Sequence, residues 1–193
     1  MKKIVHKQLY TYFTRYELLH RQQSGFRSGH SCDTALLKLT DSCLNEMDKG
    51  NFTSALFLDF RKTFEIGIYQ ILLSKFRLYQ CDDHSIKWFN SYLSGRCQKV
   101  KIGSEELDFK PIHSGVPQGF ILGPLLFITF INDLPLVLQN VYADLYVDDT
   151  TLHKSSSSVS VVNVELNTDL YNVVEWCREN NMVLNTERKK NLC

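Results

Sequence analysis

The sequence predicts an α+β fold in which an antiparallel sheet carries helices on one face. Helical and strand-like spacings of apolar residues are mixed along the 193 residues without regular βαβ alternation. Hydrophobic residues make up 44% of the chain and charged residues 22%, which suits a folded core and excludes a disordered chain. Only 9 glycines and 4 prolines are present, which excludes collagen-like and low-complexity classes.

The first elements are a helix and a strand that ends near an acid. Apolar residues recur on one stripe over residues 35–47, and Asp33 is placed to cap this helix. Residues 54–60 form a nearly continuous apolar run, the pattern of a strand buried on both faces. Asp59 lies near the end of the run, where a charge is costly unless it is paired or bound to a metal.

The middle of the chain predicts two helices and a hairpin. Residues 71–78 have helical spacing, and Asp83 is placed to cap a second helix that Gly95 ends. Residues 97–102 alternate in polarity, a turn follows, and apolar residues recur over 107–112. This pattern predicts a β-hairpin.

The last third predicts a buried helix, a second hairpin, a long helix and a short strand. The apolar run 120–131 is typical of a buried helix. Residues 141–152 are rich in strand formers around two adjacent acids, which predicts a hairpin with the acids at its tip. Apolar residues then share one helical face between 166 and 177, and residues 183–184 predict a last strand.

Charge is distributed unevenly, although 22 Lys and Arg nearly balance 21 Asp and Glu. Residues 1–30 carry six basic residues against one acid, whereas residues 111–187 carry nine acids against two basic residues. A solvated surface can have this pattern. So can a metal-dependent enzyme that acts on a polyanion, with carboxylates for cations and basic flanks for phosphates.

The sequence also indicates a cellular setting. No apolar run approaches the roughly 20 residues of a membrane span, so we expect an intracellular protein, nuclear or cytoplasmic, without a membrane partner. The six cysteines lack metal-binding spacing, and we expect them to be reduced and mostly buried.

Three acids are candidate metal ligands: Asp59, Asp148 and Asp149. If the two segments that carry them lie side by side, mutual repulsion would require a cation, and hard oxygen ligands suit Mg²⁺. Two such ions about 4 Å apart can support phosphoryl transfer. The alternative is that the Asp-Asp pair is ordinary turn chemistry and that Asp59 starts a loop.

A loop before the apolar helix is a candidate ligand site. Residues 114–119 hold two glycines and a proline, which give a bent backbone that a ligand can approach closely. Gln118 would offer an amide over that ligand. The alternative is a plain connection between the hairpin and the helix.

Together, these motifs resemble a reverse transcriptase of a non-LTR retrotransposon, closest to the jockey type. The most specific are Gly-Val-Pro-Gln-Gly-Phe-Ile-Leu-Gly-Pro at 115–124 and Tyr-Val-Asp-Asp at 146–149. The resemblance covers about residues 20–192, and its stretches follow in the family's order: 23–31, 57–64, 88–93, 115–124, 146–149 and 176–185. Intron maturases and telomerase-like enzymes share the acid constellation, but residues 88–89 and 121–124 look like the retrotransposon pattern.

The resemblance implies an RNA-directed DNA polymerase that adds dNTPs to a primer 3′-hydroxyl. It implies two Mg²⁺ ions, with Mn²⁺ as an alternative, and an RNA template, a DNA primer and a dNTP as partners. The implied fold is a polymerase palm with partial fingers: an N-terminal extension over 1–22 and a reverse transcriptase domain over 23–192, without a C-terminal thumb. The alternative is a catalytically dead remnant that at most binds nucleic acid or a partner.

The resemblance also assigns residues to roles. Asp59, Asp148 and Asp149 would be the catalytic residues and metal ligands. An aromatic Phe64 at the sugar gate would favour dNTPs over NTPs, although a core Phe is the alternative. The remaining candidates are Lys62, Thr63, Gln118 and Gly119 with Phe64 for the nucleotide, and Arg27, Arg188 and Lys189 for nucleic acid.

Several positions depart from the family's usual pattern. Glu65 stands for an Asp, Phe120 for a small residue and Val147 for an Ala. Ile-Gly-Ile-Tyr at 66–69 replaces Thr-Val-Asp-His, and Arg188-Lys189 replaces Lys-Thr. Arg gives up a proton less readily than Lys, which puts any acid role at that position in doubt. None of these changes removes one of the three acids, and together they suggest drift in a decaying element copy.

Overall fold

The computed structural model describes residues 1–61, 66–95, 97–99, 101–108, 110–111 and 121–185. In that part of the chain the α-helices are α1 Lys2–Arg15, α2 Cys32–Asp48, α3 Ile66–Leu78, α4 Asp83–Leu93, α5 Leu122–Phe130 and α6 Val159–Glu179. The strands are β1 Phe52–Arg61, β2 Cys97–Gln98, β3 Lys101–Ile102, β4 Glu105–Glu106, β5 Lys110–Pro111, β6 Tyr142–Tyr146, β7 Asp149–Ser156 and β8 Val183–Leu184. The mixed order confirms the predicted α+β class.

The central sheet has four antiparallel strands in the order β6-β7-β1-β8. The hairpin of β6 and β7 is the one predicted around the two acids, and β7 pairs along β1 from Phe52 opposite Ser156 to Asp59 opposite Asp149. The predicted short strand at 183–184 is β8, and it pairs with the end of β1. The sheet therefore brings together segments more than a hundred residues apart in the chain.

One face of the sheet forms the core. Leu58 and Phe60 of β1 are buried there with Leu145 of β6 and Leu152 of β7. The predicted apolar helix is α5, and all of its residues except Pro124 are buried. Each fully buried Leu or Phe side chain contributes about 1.5–3 kcal/mol relative to exposure, so this face anchors the sheet.

The prediction of helices on one face and of a first strand buried on both faces needs correction. Asp144 lies between the core-facing Ala143 and Leu145 and therefore projects to the opposite face, where Lys38 of α2 donates to it at 2.8 Å. On that face Phe57 of β1 is 65% exposed. The continuous apolar run of β1 is therefore buried on the core face alone, because α2 covers the opposite face of the sheet only in part.

The two predicted helix caps are each displaced by one or two residues. Ser31 caps α2, and its side chain and that of Thr34 exchange bonds with each other's backbone N–H groups. Asp82, rather than Asp83, caps α4 by accepting from the Ser85 N–H at 3.0 Å. Asp33 and Asp83 instead lie in the first helical turns, where the helix dipole favours acids.

The remaining predictions outside the sheet vary in outcome. The hairpin predicted over 97–112 is present as two short ladders, β2 with β5 and β3 with β4, but Glu105–Glu106, predicted as part of the turn, form β4. The expectation of mostly buried cysteines is wrong: among those described, Cys177 is buried whereas Cys32 and Cys97 are exposed. No helix among the described residues is long and apolar enough to cross a membrane.

A buried carboxylate ties α6 to the segment that enters β6. Asp169 is fully buried, and its oxygens accept the N–H groups of Gln139, Asn140 and Val141 at 2.7–3.1 Å. Asn172 donates to the same carboxylate at 3.1 Å. A carboxylate without such donors would be costly in this position, so the bonds and the burial depend on each other.

A buried ammonium ties α3 to the end of α5. Lys75 Nζ donates to the Phe130 carbonyl at 2.6 Å and to Asp133 Oδ1 at 2.7 Å. It also lies 4.5 Å from the centre of the Phe130 ring and 4.9 Å from that of Trp176. Burial lowers the pKa of Lys75, and the carboxylate of Asp133 opposes that shift.

Candidate active site

Two of the predicted metal ligands are direct neighbours in the sheet. Asp59 on β1 lies opposite Asp149 on β7, and Asp149 in turn lies opposite Tyr146 on β6. Opposed residues of antiparallel strands project to the same face, with Cβ atoms about 4.5–5.5 Å apart. The pairing therefore forms a row of three residues across three strands, and we call it the acid row: Tyr146, Asp149 and Asp59. Like charges in such a pair repel, so a cation between them would stabilise it.

The third acid lies on the turn beside the acid row. Val147 and Asp148 are the two residues that connect β6 to β7. Val147 has a φ of 61°, whereas Asp148 does not have a positive φ. A positive φ at the first but not the second of two central residues is the mark of a type II′ turn, which normally uses glycine at the first. A β-branched residue in this conformation is unusual and strained. The sequence prediction of an acid pair at a hairpin tip is thus confirmed, with Asp149 as the first residue of β7.

Asn185 holds the carboxylate of Asp59. It follows β8, and its backbone N–H donates to the Asp59 carbonyl at 2.8 Å. Its side-chain Nδ2 donates to Asp59 Oδ2 at 2.9 Å. The second bond limits the rotation of the half-buried carboxylate and links the acid row to the segment that follows β8. Sequence reasoning placed this residue in a motif but gave it no role.

The early motif at 23–31 begins against the same hairpin. The Ser24 N–H donates to the Leu145 carbonyl at 2.8 Å, and the Leu145 N–H donates to the Gln22 carbonyl at 3.0 Å. These bonds form an isolated parallel bridge between Gln23 and Leu145. The segment therefore lies along the outer edge of β6, directly behind the turn that carries Asp148.

Arg27, predicted to bind nucleic acid, bonds within its own loop. Its Nη1 donates to the carbonyls of His20 at 3.3 Å and Gln23 at 3.2 Å. The half-buried side chain also lines an open cleft of about 680 Å³ together with Arg21 and His30. Burial, followed by the charge of Arg21, lowers the pKa of His20 in this cleft. A guanidinium has five donors, so Nη1 leaves others for a phosphate.

A second charged cluster, missed by sequence reasoning, lies on the acid-row face of the hairpin. Asp144 accepts from His153 Nε2 at 3.0 Å and from Lys38 Nζ at 2.8 Å. Burial alone raises the pKa of Asp144, but these two donors outweigh it and lower the pKa below its usual value. The alternation of β6 was the available signal, because it places Asp144 opposite to the core-facing residues.

The carboxylates of the acid row suit part of a divalent-cation site. Among the described residues, no group of three or more His, Cys, Asp and Glu side chains is arranged to hold a metal ion. Mg²⁺ is commonly bound by one or two carboxylates together with substrate phosphates and water. The opposed pair of Asp59 and Asp149 offers such hard oxygen donors, so these residues fit Mg²⁺ as a partial site that a substrate would complete.

Seven predicted site residues lie outside the described residues, and their assignments stay predictions. They are Lys62, Thr63, Phe64, Gln118, Gly119, Arg188 and Lys189. The departures at Glu65, Phe120 and Arg188 fall in the same segments.

A comparison with protein families identifies the chain. The family model described as reverse transcriptase (RNA-dependent DNA polymerase) matches residues 1–193. The chain belongs to the reverse transcriptase family. This result confirms the resemblance that the sequence motifs carry, and it applies to the whole length of the chain.

Curated relatives of this reverse transcriptase chain come from mobile elements. It is 28% identical over 200 residues to the probable RNA-directed DNA polymerase from transposon BS of Drosophila melanogaster. That alignment covers 100% of this chain and 22% of the relative. It is 26% identical, with the same coverage, to the RNA-directed DNA polymerase from mobile element jockey of the same species. The chain thus spans about a fifth of the length of these relatives.

A solved structure supports the reverse transcriptase fold. Telomerase from Candida albicans, determined with a TWJ fragment of telomeric RNA, matches 96% of this chain and 34% of its own, with a TM-score of 0.61. The sequence identity is 14%, so this likeness concerns the fold alone.

Proposed function

We propose that this chain is the catalytic fingers–palm part of an RNA-directed DNA polymerase of a non-LTR retrotransposon. The observation that carries the proposal is the pairing of β1 with β7, which opposes Asp59 and Asp149 next to the turn that holds Asp148. The four-stranded sheet with its core helices α5 and α6 would be the palm. Membership of the reverse transcriptase family supports this assignment.

In this proposal the three acids bind divalent metal and position the reacting groups. Asp59, Asp148 and Asp149 would hold the cations, next to where the primer 3′-hydroxyl and the dNTP α-phosphate would be placed. A pair of Mg²⁺ ions, with Mn²⁺ as an alternative, would supply activation of the hydroxyl and neutralisation of the pyrophosphate leaving group. Asn185 keeps the Asp59 carboxylate in one orientation.

The other predicted residues would contact the substrates, which are an RNA template, a DNA primer and a dNTP. Arg27, already placed beside the cleft, would offer its remaining donors to a phosphate. Nucleotide contacts are assigned to Lys62, Thr63, Phe64, Gln118 and Gly119, and further nucleic-acid contacts to Arg188 and Lys189.

Primer extension tests the proposal. Wild-type protein is incubated with a poly-rA/oligo-dT duplex, dTTP and Mg²⁺ and compared with Asp148→Asn, which removes the charge and keeps the shape. Asp41→Asn is the matched control, because Asp41 is an exposed acid on α2 that does not belong to the acid row. Extension by wild type and by the control, lost in Asp148→Asn, supports the polymerase. Extension that survives in Asp148→Asn contradicts the assigned site.

The second candidate is a remnant that binds nucleic acid without catalysis. The observation that favours it is the lack, within the described part of the chain, of three metal-binding side chains already grouped around one point. It predicts binding of the same duplex, measured by fluorescence anisotropy, with no extension in Mg²⁺ or Mn²⁺ by a folded protein. Equal binding by wild type and Asp148→Asn would accompany that result.

A further inference from the structure

The backbone of Gly25 lies against the turn that carries Asp148. A Cβ atom at position 25 would lie 2.5 Å from the Val147 backbone nitrogen and 2.6 Å from Val147 Cγ2. Real Cβ atoms essentially never make non-bonded contacts this short, and a backbone atom cannot move aside as a flexible side chain can. Gly25 does not have a positive φ, so the position needs glycine for space and not for its conformational freedom.

The side chain of Gln23 connects the same two segments. It is fully buried, and its Oε1 accepts the Gly25 N–H at 2.7 Å and the Val147 N–H at 3.4 Å. Within the described residues its Nε2 has no hydrogen-bond partner. Burying an amide whose NH₂ group makes no hydrogen bond is costly. We therefore ascribe the role of Gln23 to the two bonds that its Oε1 accepts.

Val147 is the residue on which these contacts converge. Its positive φ is strained, and a strained residue persists only where its surroundings hold it in place. The backbone of Gly25 and the acceptor of Gln23 provide that restraint from one side, while the strands β6 and β7 provide it from the other. Asp148 follows Val147 directly, so the direction of its carboxylate depends on this turn.

We infer that Gln23 and Gly25 are positioning residues for the acid turn: they hold Val147 in its strained conformation and thereby aim Asp148 at the acid row. The inference rests on the proposed function. It assigns the motif at 23–31 a role in positioning Asp148 through its contacts with the β6–β7 turn, in addition to any contact with nucleic acid.

Two variants and one control test this role. Gly25→Ala introduces the Cβ contact with the Val147 backbone, and Gln23→Leu removes the acceptor at similar side-chain volume. Ser28→Ala is the matched control, because Ser28 lies in the same loop with an exposed side chain. Each full-length protein is measured for its thermal midpoint, for amide hydrogen exchange of peptides that cover 141–152, and for Mn²⁺ binding by electron paramagnetic resonance.

The expected result is faster exchange in the hairpin and weaker Mn²⁺ binding, by about tenfold or more, in both variants and not in Ser28→Ala. A merely structural role would instead lower the thermal midpoint without a selective change in the hairpin. Unchanged hairpin exchange and unchanged Mn²⁺ affinity in a folded Gly25→Ala protein would overturn the inference. If Gly25→Ala does not fold, Gln23→Leu decides by the same two measurements.

The same experiment separates this inference from the proposed function. Primer extension is measured alongside, with kcat expected to fall more than the KM for dTTP rises. If wild type extends no primer but its hairpin exchange still depends on Gln23 and Gly25, the polymerase proposal fails and the positioning role remains. If wild type is active and both variants equal it in exchange, Mn²⁺ binding and kcat, the positioning role fails alone.

Discussion

Replacing Asn185 by Ala tests whether the acid row needs the hydrogen bond that Asn185 donates to Asp59. The substitution removes the 2.9 Å bond from Nδ2 to Asp59 Oδ2. It keeps the backbone bond from the Asn185 N–H to the Asp59 carbonyl, because Ala retains that donor. The pairing of β8 with β1 should therefore survive, and only the orientation of the Asp59 carboxylate should change.

The size of the effect follows from the geometry of the bond. A hydrogen bond to a charged group contributes about 1.5–3 kcal/mol. Asp59 is half-buried, so water can replace part of the lost bond, and the low end of that range applies. Since about 1.4 kcal/mol corresponds to a factor of ten, we expect roughly a tenfold loss of metal affinity. This is the low end of the effect of removing a group that hydrogen-bonds a metal ligand.

Two measurements detect the expected loss of metal affinity and its effect on catalysis. The dissociation constant for Mn²⁺ should rise about tenfold, and kcat in primer extension should fall by a similar factor with little change in the thermal midpoint. Asn167→Ala is the matched control, because Asn167 is an exposed residue of α6 whose side chain donates to the Asn163 carbonyl in its own helix.

A double-mutant cycle gives the decisive comparison. If Asn185 acts through Asp59, adding Asn185→Ala to Asp59→Asn should cause no further loss of Mn²⁺ affinity. Independent, additive losses would refute the reasoning, and so would an Asn185→Ala protein with wild-type affinity and kcat.

Three further predictions concern the groups that support the site. Asp169→Ala leaves three backbone N–H groups without their acceptor, and urea unfolding should show a loss of about 3 kcal/mol. Asp133→Asn should destabilise the protein more than Lys75→Met, by about 1–2 kcal/mol in the same assay, because it leaves a buried ammonium without its counter-ion. Because the folded-state pKa of Asp144 is lowered, its carboxylate stabilises the fold above the unfolded pKa of about 3.9 and loses this effect as pH falls through the folded value. The difference in unfolding free energy between wild type and Asp144→Asn should therefore shrink as the pH falls below about 4; a difference that stays undiminished down to about pH 2 would contradict the assignment.

Local patterns predicted the parts of the site that lie within single segments. The apolar run that ends near Asp59 is β1, and the acid pair lies on a hairpin as expected. These predictions succeeded because strand and turn propensities act over a few residues. The caps of α2 and α4 were displaced by a residue or two because several neighbouring polar residues can cap a helix, and only the backbone geometry selects one.

Contacts between distant segments could not be predicted in this way. The register that opposes Asp59 to Asp149 depends on how two strands pair when the opposed residues are 90 positions apart in the chain. The bond from Asn185 joins residues 126 positions apart, and the bond between Gln23 and Val147 joins residues 124 apart. No spacing rule in a single sequence encodes such pairs, and the face covered by α2 was missed for the same reason.

The position of Val147 shows how these distant contacts constrain one another. Glycine would relieve the positive φ at the turn, but it would also free the backbone that carries Asp148. A β-branched residue restricts that backbone, and its unfavourable conformation is maintained by the buried contacts of Gln23 and Gly25. Val147 in place of the family's usual Ala is therefore consistent with selection for a rigid turn as well as with drift in a decaying element copy. The two interpretations differ in one measurable respect: a restrained turn requires slow hairpin exchange in wild type that Val147→Gly accelerates, whereas drift without restraint predicts equal exchange in both.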